Sequence, residues 1–368
     1  MGQPLEVVVV GGAATVPLPP LDGVARLARV TVVDGAAESW PPLREAEVGF
    51  LWDFRFDDAA RLFAAAPKLR WLHVAAVGVD RVLTPEVVAG DVLVTNSRGV
   101  FDRAIAEYVL GLLLAHVKGL RDTYELQQQR VWLHRTSRSL SGRRVAVVGT
   151  GSIGRSIARL LTAVGVQVEL VGTRRRVDPD LGPVHSSEDL RRVAAECDAL
   201  VLAAPATDRT RGMAGRQVLA ALGPDGYLVN IGRGSLVVES DLVDALASGA
   251  LGGAALDVFE VEPLPPDSPL WGMPNVVVSP HMSADADGFA EDLLAVFTGN
   301  LRRWIDGDPL DNVVDKKLGY VPSGGRASPS AGEAAAARRQ DGRATVTSSW
   351  STVDDPRKMP PPAGEDSP

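Results

Sequence analysis

The stretch RVAVVGTGSIGRSIARLLTAVG, residues 144–165, decides the fold. Arg144 to Val148 is a β-branched run of strand length, Gly149, Gly151 and Gly154 follow at G-x-G-x-x-G spacing, and Arg155 to Val164 has the apolar spacing of a helix. Strand, glycine turn and helix in that order are what a dinucleotide site requires. Gly149 permits the tight turn, Gly151 lets the backbone approach a pyrophosphate, and Gly154 lets the helix pack close to the strand. Amides at the helix start, at Ser152 and Ile153, then face the anion. A bare glycine pattern also fits an ordinary turn in an α/β protein, and only the flanking strand and helix favour the dinucleotide. Gly149 and Gly154 followed by Arg155 and Ser156 fall one residue short of a triphosphate-binding loop. Arg155 stands where that loop has lysine, and a planar guanidinium does not replace the compact ammonium that reaches the β- and γ-phosphates.

The next strand, Val166 to Val171, carries the choice of cofactor at its end. An acidic residue there would accept hydrogen bonds from a ribose 2′-hydroxyl. The chain instead reads Gly172, Thr173, Arg174, Arg175, Arg176, with no carboxylate. NADP is therefore expected, with Thr173 and Arg174 on the 2′-phosphate and Arg175 assisting. NAD stays open, because the same arginines could form a solvated basic loop.

Outward from this unit, short β-branched runs alternate with helical patterns in both directions. Towards the N-terminus they are Val7 to Val10, Val30 to Val33, Val48 to Trp52, Leu69 to Val74 and Val92 to Thr95; towards the C-terminus they are Ala199 to Ala203, Tyr227 to Ile231, Ala254 to Val258 and Val276 to Ser279. Helical spacing covers Asp57 to Ala66 and Phe289 to Ile305, and Ala104 to Leu120 is apolar around so much of its circumference that burial between domains or subunits is expected. The alternation predicts an α/β protein of two Rossmann-like, doubly wound parallel-sheet domains with an active-site cleft between them. Residues 1–98 and 286–320 are expected to form a substrate-binding lid domain, and 99–285 a dinucleotide-binding domain. Residues 321–368 are rich in Pro, Gly, Ser and Ala, carry acidic and basic residues in equal number, and read as a disordered tail.

Composition sets the outer limits. The 368 residues are 45% hydrophobic and 23% charged, with 38 basic against 46 acidic residues and a net charge of −8. An acidic chain has no general attraction for nucleic acid or anionic lipid, so neither is expected as a partner. Cys197 is the single cysteine, and the five histidines do not fall at zinc spacing, so no metal site is expected. Without a recognisable leader or membrane-length apolar run, the expected location is cytoplasmic.

Several further blocks carry a family resemblance. They are Leu69 to Asp80 with Gly78; Asn96 to Glu107; the glycine loop; Ala204, Pro205 and Thr207 with Thr210 to Gly212; Asn230 to Ser235; Ala255 to Pro263; and Ser279 to His281. In this order, residues 45–320 resemble the D-isomer-specific 2-hydroxyacid dehydrogenases, the family of the glyoxylate/hydroxypyruvate reductases. The resemblance implies Arg233, Glu262 and His281 as the catalytic set and Asp257 near the nicotinamide carboxamide. It also implies cofactor contacts from Gly149, Gly151, Ser152, Ile153, Gly154, Ala204, Pro205, Thr210, Ile231, Gly232, Arg233 and His281. Substrate contacts are implied from Trp52, Val77, Gly78, Arg233 and His281. A homodimer is implied as well, joined through the cofactor domains near the Ala104 to Leu120 helix and Trp132. Three departures stand out: Gly232 replaces a common Ala, Val77 replaces a Thr in the substrate loop, and the run Met282 to Gly288 differs from the usual Gly- and Thr-containing one.

The residue chemistry matches a 2-oxo acid reduction. That reaction needs a hydride donor, a cation for the substrate carboxylate, and an acid that protonates the carbonyl oxygen. Arg233 offers a planar fork of donors, His281 follows Pro280 at a strand end where open α/β sheets place ligands, and Glu262 would favour the charged imidazole. The substrate expected by resemblance is a small 2-oxo acid such as glyoxylate or hydroxypyruvate. Trp52 and Phe54 would limit substrate size if they face the cleft, or pack as core. His73, near the substrate loop, is read as structural before catalytic. The rival function is a non-catalytic nucleotide-sensing module on the same fold, for which the trio Arg233, Glu262 and His281 would have no purpose. A formate dehydrogenase is disfavoured by Glu262, where an amide would be expected.

Overall fold

The computed structural model describes residues 4–12, 17–53, 56 and 58–322; Phe54 and residues 323–368 of the expected tail lie outside them. Two parallel sheets organise the chain. The first contains β1 (Glu6–Gly11), β2 (Arg29–Asp34), β3 (Val48–Leu51), β4 (Trp71–Val74) and β5 (Leu93–Asn96) in the order β2-β1-β3-β4-β5. All four pairings are parallel, with Val9 opposite both Val32 and Phe50. The second contains β6 (Arg144–Val148), β7 (Gln167–Gly172), β8 (Arg176–Asp178), β9 (Gly182–Ser186), β10 (Ala199–Leu202), β11 (Tyr227–Asn230), β12 (Gly253–Leu256) and β13 (Val276–Val278). Its order is β13-β12-β11-β10-β6-β7-β9-β8, and only the edge pair β8 and β9 is antiparallel.

The near-continuous apolar strands follow from this arrangement, because helices cover both faces of each sheet. β3, β4, β10, β11 and β12 are buried at every residue. Strand order reverses between β1 and β3 and between β6 and β10, which makes the carboxyl ends there the natural ligand crevices. The edge strands β8 and β9 were not expected. Pro179, Gly182 and two aspartates punctuate this stretch as a loop would, and only pairing against β7 holds it extended.

The helix expected over Ala104 to Leu120 spans Asp102–Lys118 and ends at Gly119, whose φ of +58° suits glycine. Within the single chain it is buried on one side. Ile105, Ala106, Val109 and Leu113 are buried, with the helix packed on Ser152–Ala163, while Leu114 and Leu120 lie exposed on the other side. A second helix, Leu120–Gln128, continues from it without a buried residue. The Phe289–Asp306 helix returns to the first sheet, where Phe297 stacks on Phe50 at 4.1 Å and on Trp71 at 5.5 Å. Val314 then donates its amide to Val94 at 2.9 Å, so the chain after this helix is stitched to β5. Among the described residues no helix is long and apolar enough to cross a membrane.

Candidate active site

At the end of β6 each loop glycine meets a different demand. Gly149 has φ +109°, and a Cβ there would lie 2.5 Å from the Ala203 carbonyl oxygen. A Cβ on Gly154 would lie 1.9 Å from the Gly149 oxygen, so that position is reserved for close helix packing. Gly151 has nothing within 4 Å on its Cβ side and precedes the Ser152–Ala163 helix, leaving its backbone open. Ser152 and Ile153 form the partly exposed first turn, where amides point at an anion. The loop therefore fits a dinucleotide pyrophosphate. Arg155 turns away instead of reaching phosphates: it pairs with Asp178 and, at 2.5 Å, with Asp180, which removes the triphosphate-loop alternative.

The arginine run beyond β7 divides. Thr173 and Arg174 are exposed, and Arg174 has no ion pair among the described residues. Arg175, expected to assist at the 2′-phosphate, instead donates to Asp189 at 2.9 Å. Arg176 lies in β8 and donates to Thr150 Oγ1 of the glycine loop at 2.7 Å. The sequence alone gave no sign of that last contact, since it depends on β8 folding back beside the loop.

Arg233 follows β11. Asn230, buried at the strand end, shapes the turn by donating to the Arg233 carbonyl at 2.9 Å and accepting the Gly232 amide at 3.2 Å. The guanidinium donates from Nη1 to the Gly232 oxygen at 2.8 Å, and from Nε and Nη2 to Asp80 Oδ1 at 3.2 and 3.0 Å. Asp80 comes from the loop after β4, in the other sheet. Burial pushes the Asp80 carboxyl up, but the Arg233 charge and hydrogen bond outweigh it and hold it below the usual carboxylate value. Gly78 lies directly under this pair, and Asn96 fixes the same loop by donating to the Val77 oxygen at 2.7 Å. Asp80 was passed over as a site residue; its sequence signal was only its place at the end of the Leu69 to Asp80 block.

His281 follows β13 with φ +56°, and its Nδ1 lies 2.9 Å from Glu262 Oε2. The other oxygen of Glu262 accepts the Phe259 amide at 3.0 Å. Burial raises the Glu262 carboxyl, yet its hydrogen bond and charge interaction with His281 bring it below the usual value. The imidazole side chain is 38% exposed. A cation with a planar fork and a carboxylate-held imidazole can together bind an acid and move a proton.

Other expected contacts are placed differently. Asp257, expected beside the nicotinamide, is buried beneath the His281 loop, with its oxygens accepting from Ser279 Oγ at 2.7 Å and from the Met282 and Ser283 amides at 3.0 Å. Thr210 folds into its own loop, donating to the Pro205 oxygen at 2.7 Å. Ala204 and Ile231 are buried at strand ends, while Pro205 is exposed there and Gly232 is half-buried. Trp52, expected at the substrate, is 4% exposed and packs edge-on against Phe50. An indole is too large and apolar to leave the core once the returning helix seals it. His73 is wholly buried between Phe50, Trp71 and Phe297, with Nδ1 2.7 Å from Thr95 Oγ1. Burial lowers it to about 3, so it is a neutral core residue.

Residues 110–283 match the family model described as D-isomer specific 2-hydroxyacid dehydrogenase, NAD binding domain. A glyoxylate/hydroxypyruvate reductase of Arabidopsis thaliana is 31% identical over 253 residues, covering 68% of this chain and 77% of the relative. The chain belongs to the D-isomer-specific 2-hydroxyacid dehydrogenases. A hydroxyphenylpyruvate reductase of Plectranthus scutellarioides is 34% identical over 254 residues, covering 68% of this chain and 80% of that one. Among solved structures of this dehydrogenase family, the NADPH-dependent glyoxylate/hydroxypyruvate reductase of Sinorhizobium meliloti, in complex with NADP and sulfate, aligns with a TM-score of 0.74. It is 31% identical and covers 86% of this chain and all of its own. The same architecture therefore carries the dehydrogenase fold over nearly all the described residues.

Proposed function

We propose that this dehydrogenase is an NADPH-dependent reductase of 2-oxo acids, with Arg233, Glu262 and His281 as its catalytic set. The observation that carries this reading is the convergence, at the strand ends of the second sheet, of a carboxylate-held imidazole and a guanidinium that faces the first sheet. Relatives named as glyoxylate/hydroxypyruvate reductases, one of them solved with NADP, support it. Residues 1–98 and 286–320 act as the lid, residues 99–285 hold the cofactor, and substrate binds in the cleft between them.

Residue chemistry then sets the roles. When bound, NADPH supplies a hydride to the carbonyl carbon of the substrate. Gly149, Gly151 and Gly154, with the Ser152 and Ile153 amides, hold the pyrophosphate, and Thr173 and Arg174 hold the 2′-phosphate. Arg233 takes the substrate carboxylate in its fork, which orients the carbonyl and stabilises charge gathering on it. His281 protonates the carbonyl oxygen from Nε2, so carbon gains a hydride and oxygen a proton to give the 2-hydroxy acid. Glu262 keeps the imidazole oriented through its hydrogen bond with Nδ1. Asp257 acts from beneath, holding the backbone that carries His281.

Glyoxylate and hydroxypyruvate are the first substrates we infer. An aromatic 2-oxo acid is a second reading, because Trp52 lies in the core and does not narrow the cleft, and because one relative is named a hydroxyphenylpyruvate reductase. The test is initial rates of NADPH and NADH oxidation with glyoxylate, hydroxypyruvate, pyruvate and hydroxyphenylpyruvate, beside Arg233→Ala. Turnover faster with NADPH and lost in the variant is expected. Faster NADH turnover would remove the arginine-loop reading, and no turnover with any pair would remove the reductase.

The working unit is a homodimer. Leu120, Tyr124, Val131, Trp132 and Leu133 expose a run of apolar side chains on and after the Leu120–Gln128 helix, and exposed apolar patches mark protein–protein contacts.

A further inference from the structure

Arg233 enters the site with most of its donors already assigned. A guanidinium has five N–H groups in a fixed plane. Nε and one N–H of Nη2 go to the single oxygen Oδ1 of Asp80, at 3.2 and 3.0 Å, and one N–H of Nη1 goes to the Gly232 carbonyl at 2.8 Å. What remains is one N–H on each of Nη1 and Nη2, the end-on pair of the fork. A carboxylate fits that pair with two parallel hydrogen bonds.

The seat for this arrangement is built from the opposite sheet. Asp80 and Gly78 belong to the loop after β4, whereas Arg233 follows β11. A Cβ on Gly78 would lie 1.5 Å from Arg233 Nη2 and 2.7 Å from its Cζ, so the guanidinium rests on bare backbone there. The same imagined Cβ would lie 3.0 Å from Asp80 Oδ1, which puts glycine, carboxylate and guanidinium in one packed group. Gly78 does not have a left-handed backbone, so the requirement is for space. Arg81 adds a further cation beside Asp80.

We propose that Asp80 is a positioning residue of the reduction: it holds the Nε–Nη2 edge of Arg233 across the cleft, so that the Nη1–Nη2 edge is presented to the substrate carboxylate. This rests on the reductase reading above and assigns Asp80 a role within it. An arginine on a half-exposed turn samples many rotamers, and a carboxylate that takes its side edge removes most of them before substrate arrives. Because the two partners follow strands of different sheets, the pair also ties one wall of the cleft to the other. Asp80 touches no reacting atom; it acts through Arg233.

The experiment measures kcat/KM for the best 2-oxo acid, the dissociation constant of NADPH by fluorescence, and the affinity of oxalate for the NADPH complex, in Asp80→Ala, Asp80→Asn and Arg233→Lys. Asp80→Ala is expected to lower kcat/KM by about thirtyfold or more, since misplacement of an orienting group by an ångström can cost on the order of a hundredfold. Oxalate affinity should fall with it, and the NADPH constant should stay within about twofold of wild type, as the glycine loop is untouched. Asp80→Asn keeps an oxygen able to accept the same two N–H groups and should recover to within about fivefold of wild type. It also covers the case in which alanine loosens the loop. In the Arg233→Lys background, which has no Nε–Nη2 edge, Asp80→Ala should change kcat/KM by less than about twofold. The proposal is overturned if Asp80→Ala stays within about threefold of wild type, if asparagine does no better than alanine, or if the loss is as large in the lysine background. A wild type that binds oxalate but turns over no 2-oxo acid would instead overturn the reductase reading, with oxalate binding still deciding Asp80.

Discussion

Gly78→Ala separates activity from stability. The added methyl would start 1.5 Å from Arg233 Nη2, and carbon contacts settle near about 3.5 Å, so the guanidinium must retreat by roughly 2 Å. That retreat breaks the fork on Asp80 and moves the end-on pair away from the substrate carboxylate. Hydrogen bonds to charged groups contribute about 1.5–3 kcal/mol, which corresponds to roughly a 10- to 150-fold loss in kcat/KM. Folding responds differently. The displaced atoms are the far end of a flexible side chain, the backbone at Gly78 is not left-handed, and a compatible Gly→Ala change stabilises by about 0.4–1 kcal/mol through the unfolded chain. The Asp80 side chain is 42% exposed and the ion pair correspondingly screened, so its loss offsets only about 0–1 kcal/mol. The expected variant is therefore as stable as wild type to within about 1 kcal/mol, binds NADPH normally, and is about a hundredfold slower. Steady-state rates, cofactor fluorescence and urea midpoints check the three parts. Rates within about threefold of wild type, or a matching loss of NADPH affinity, would refute the geometry given for Arg233.

Glu262→Gln should lower kcat/KM for reduction by about tenfold, because a neutral amide replaces the carboxylate that holds the imidazole Nδ1, and a hydrogen bond to a charged group contributes about 1.5–3 kcal/mol. Rates within about twofold of wild type, with NADPH affinity unchanged, would sink the pairing as a catalytic one. The Glu262 carboxyl is itself held low, so its contribution to stability is present above the ordinary Glu value and is lost as pH falls through the depressed one; acid titration followed by circular dichroism checks the direction. His73 is lowered to about 3 from 6.5, so the folded state gains from it fully above pH 6.5 and loses progressively as pH falls toward 3. That loss is about 2 kcal/mol between pH 8 and pH 5, and His73→Gln should flatten it in urea melts; an equally steep fall would place the acid sensitivity elsewhere. Trp132 is fully exposed on the single chain, and Trp132→Ser should weaken self-association about thirtyfold in sedimentation velocity, whereas a monomeric wild type would rule out this surface as an interface.

Much of this protein is legible in its sequence because the controlling interactions are local. The run from Arg144 to Gly165 encodes a strand, a turn and a helix through periodicity and three glycines, each with a steric reason to be there. β-branched runs of strand length, separated by helical spacing, encode the two parallel sheets. Arg233, Glu262 and His281 could be named from their blocks, and the structure brings Glu262 and His281 within hydrogen-bond distance.

What tertiary structure alone decided depends on where distant segments meet. The returning helix seals Phe50, Trp71, His73 and Trp52 into one core, so Trp52, expected at the substrate, is a packing residue beside His73, which the sequence already read as structural. The edge pairing of β8 with β9 turned Arg176 onto the glycine loop, while Asp189 claimed Arg175; three identical side chains in a row met three different surroundings. Asp257 was expected as a cofactor contact from its block alone, and only the fold shows that its oxygens also hold Ser279 and the backbone after His281. Asp80 and Arg233 stand 153 residues apart, and no spacing rule joins them. Local propensity sets which elements form. The charge, burial and partner of each side chain are set by the elements that pack against it.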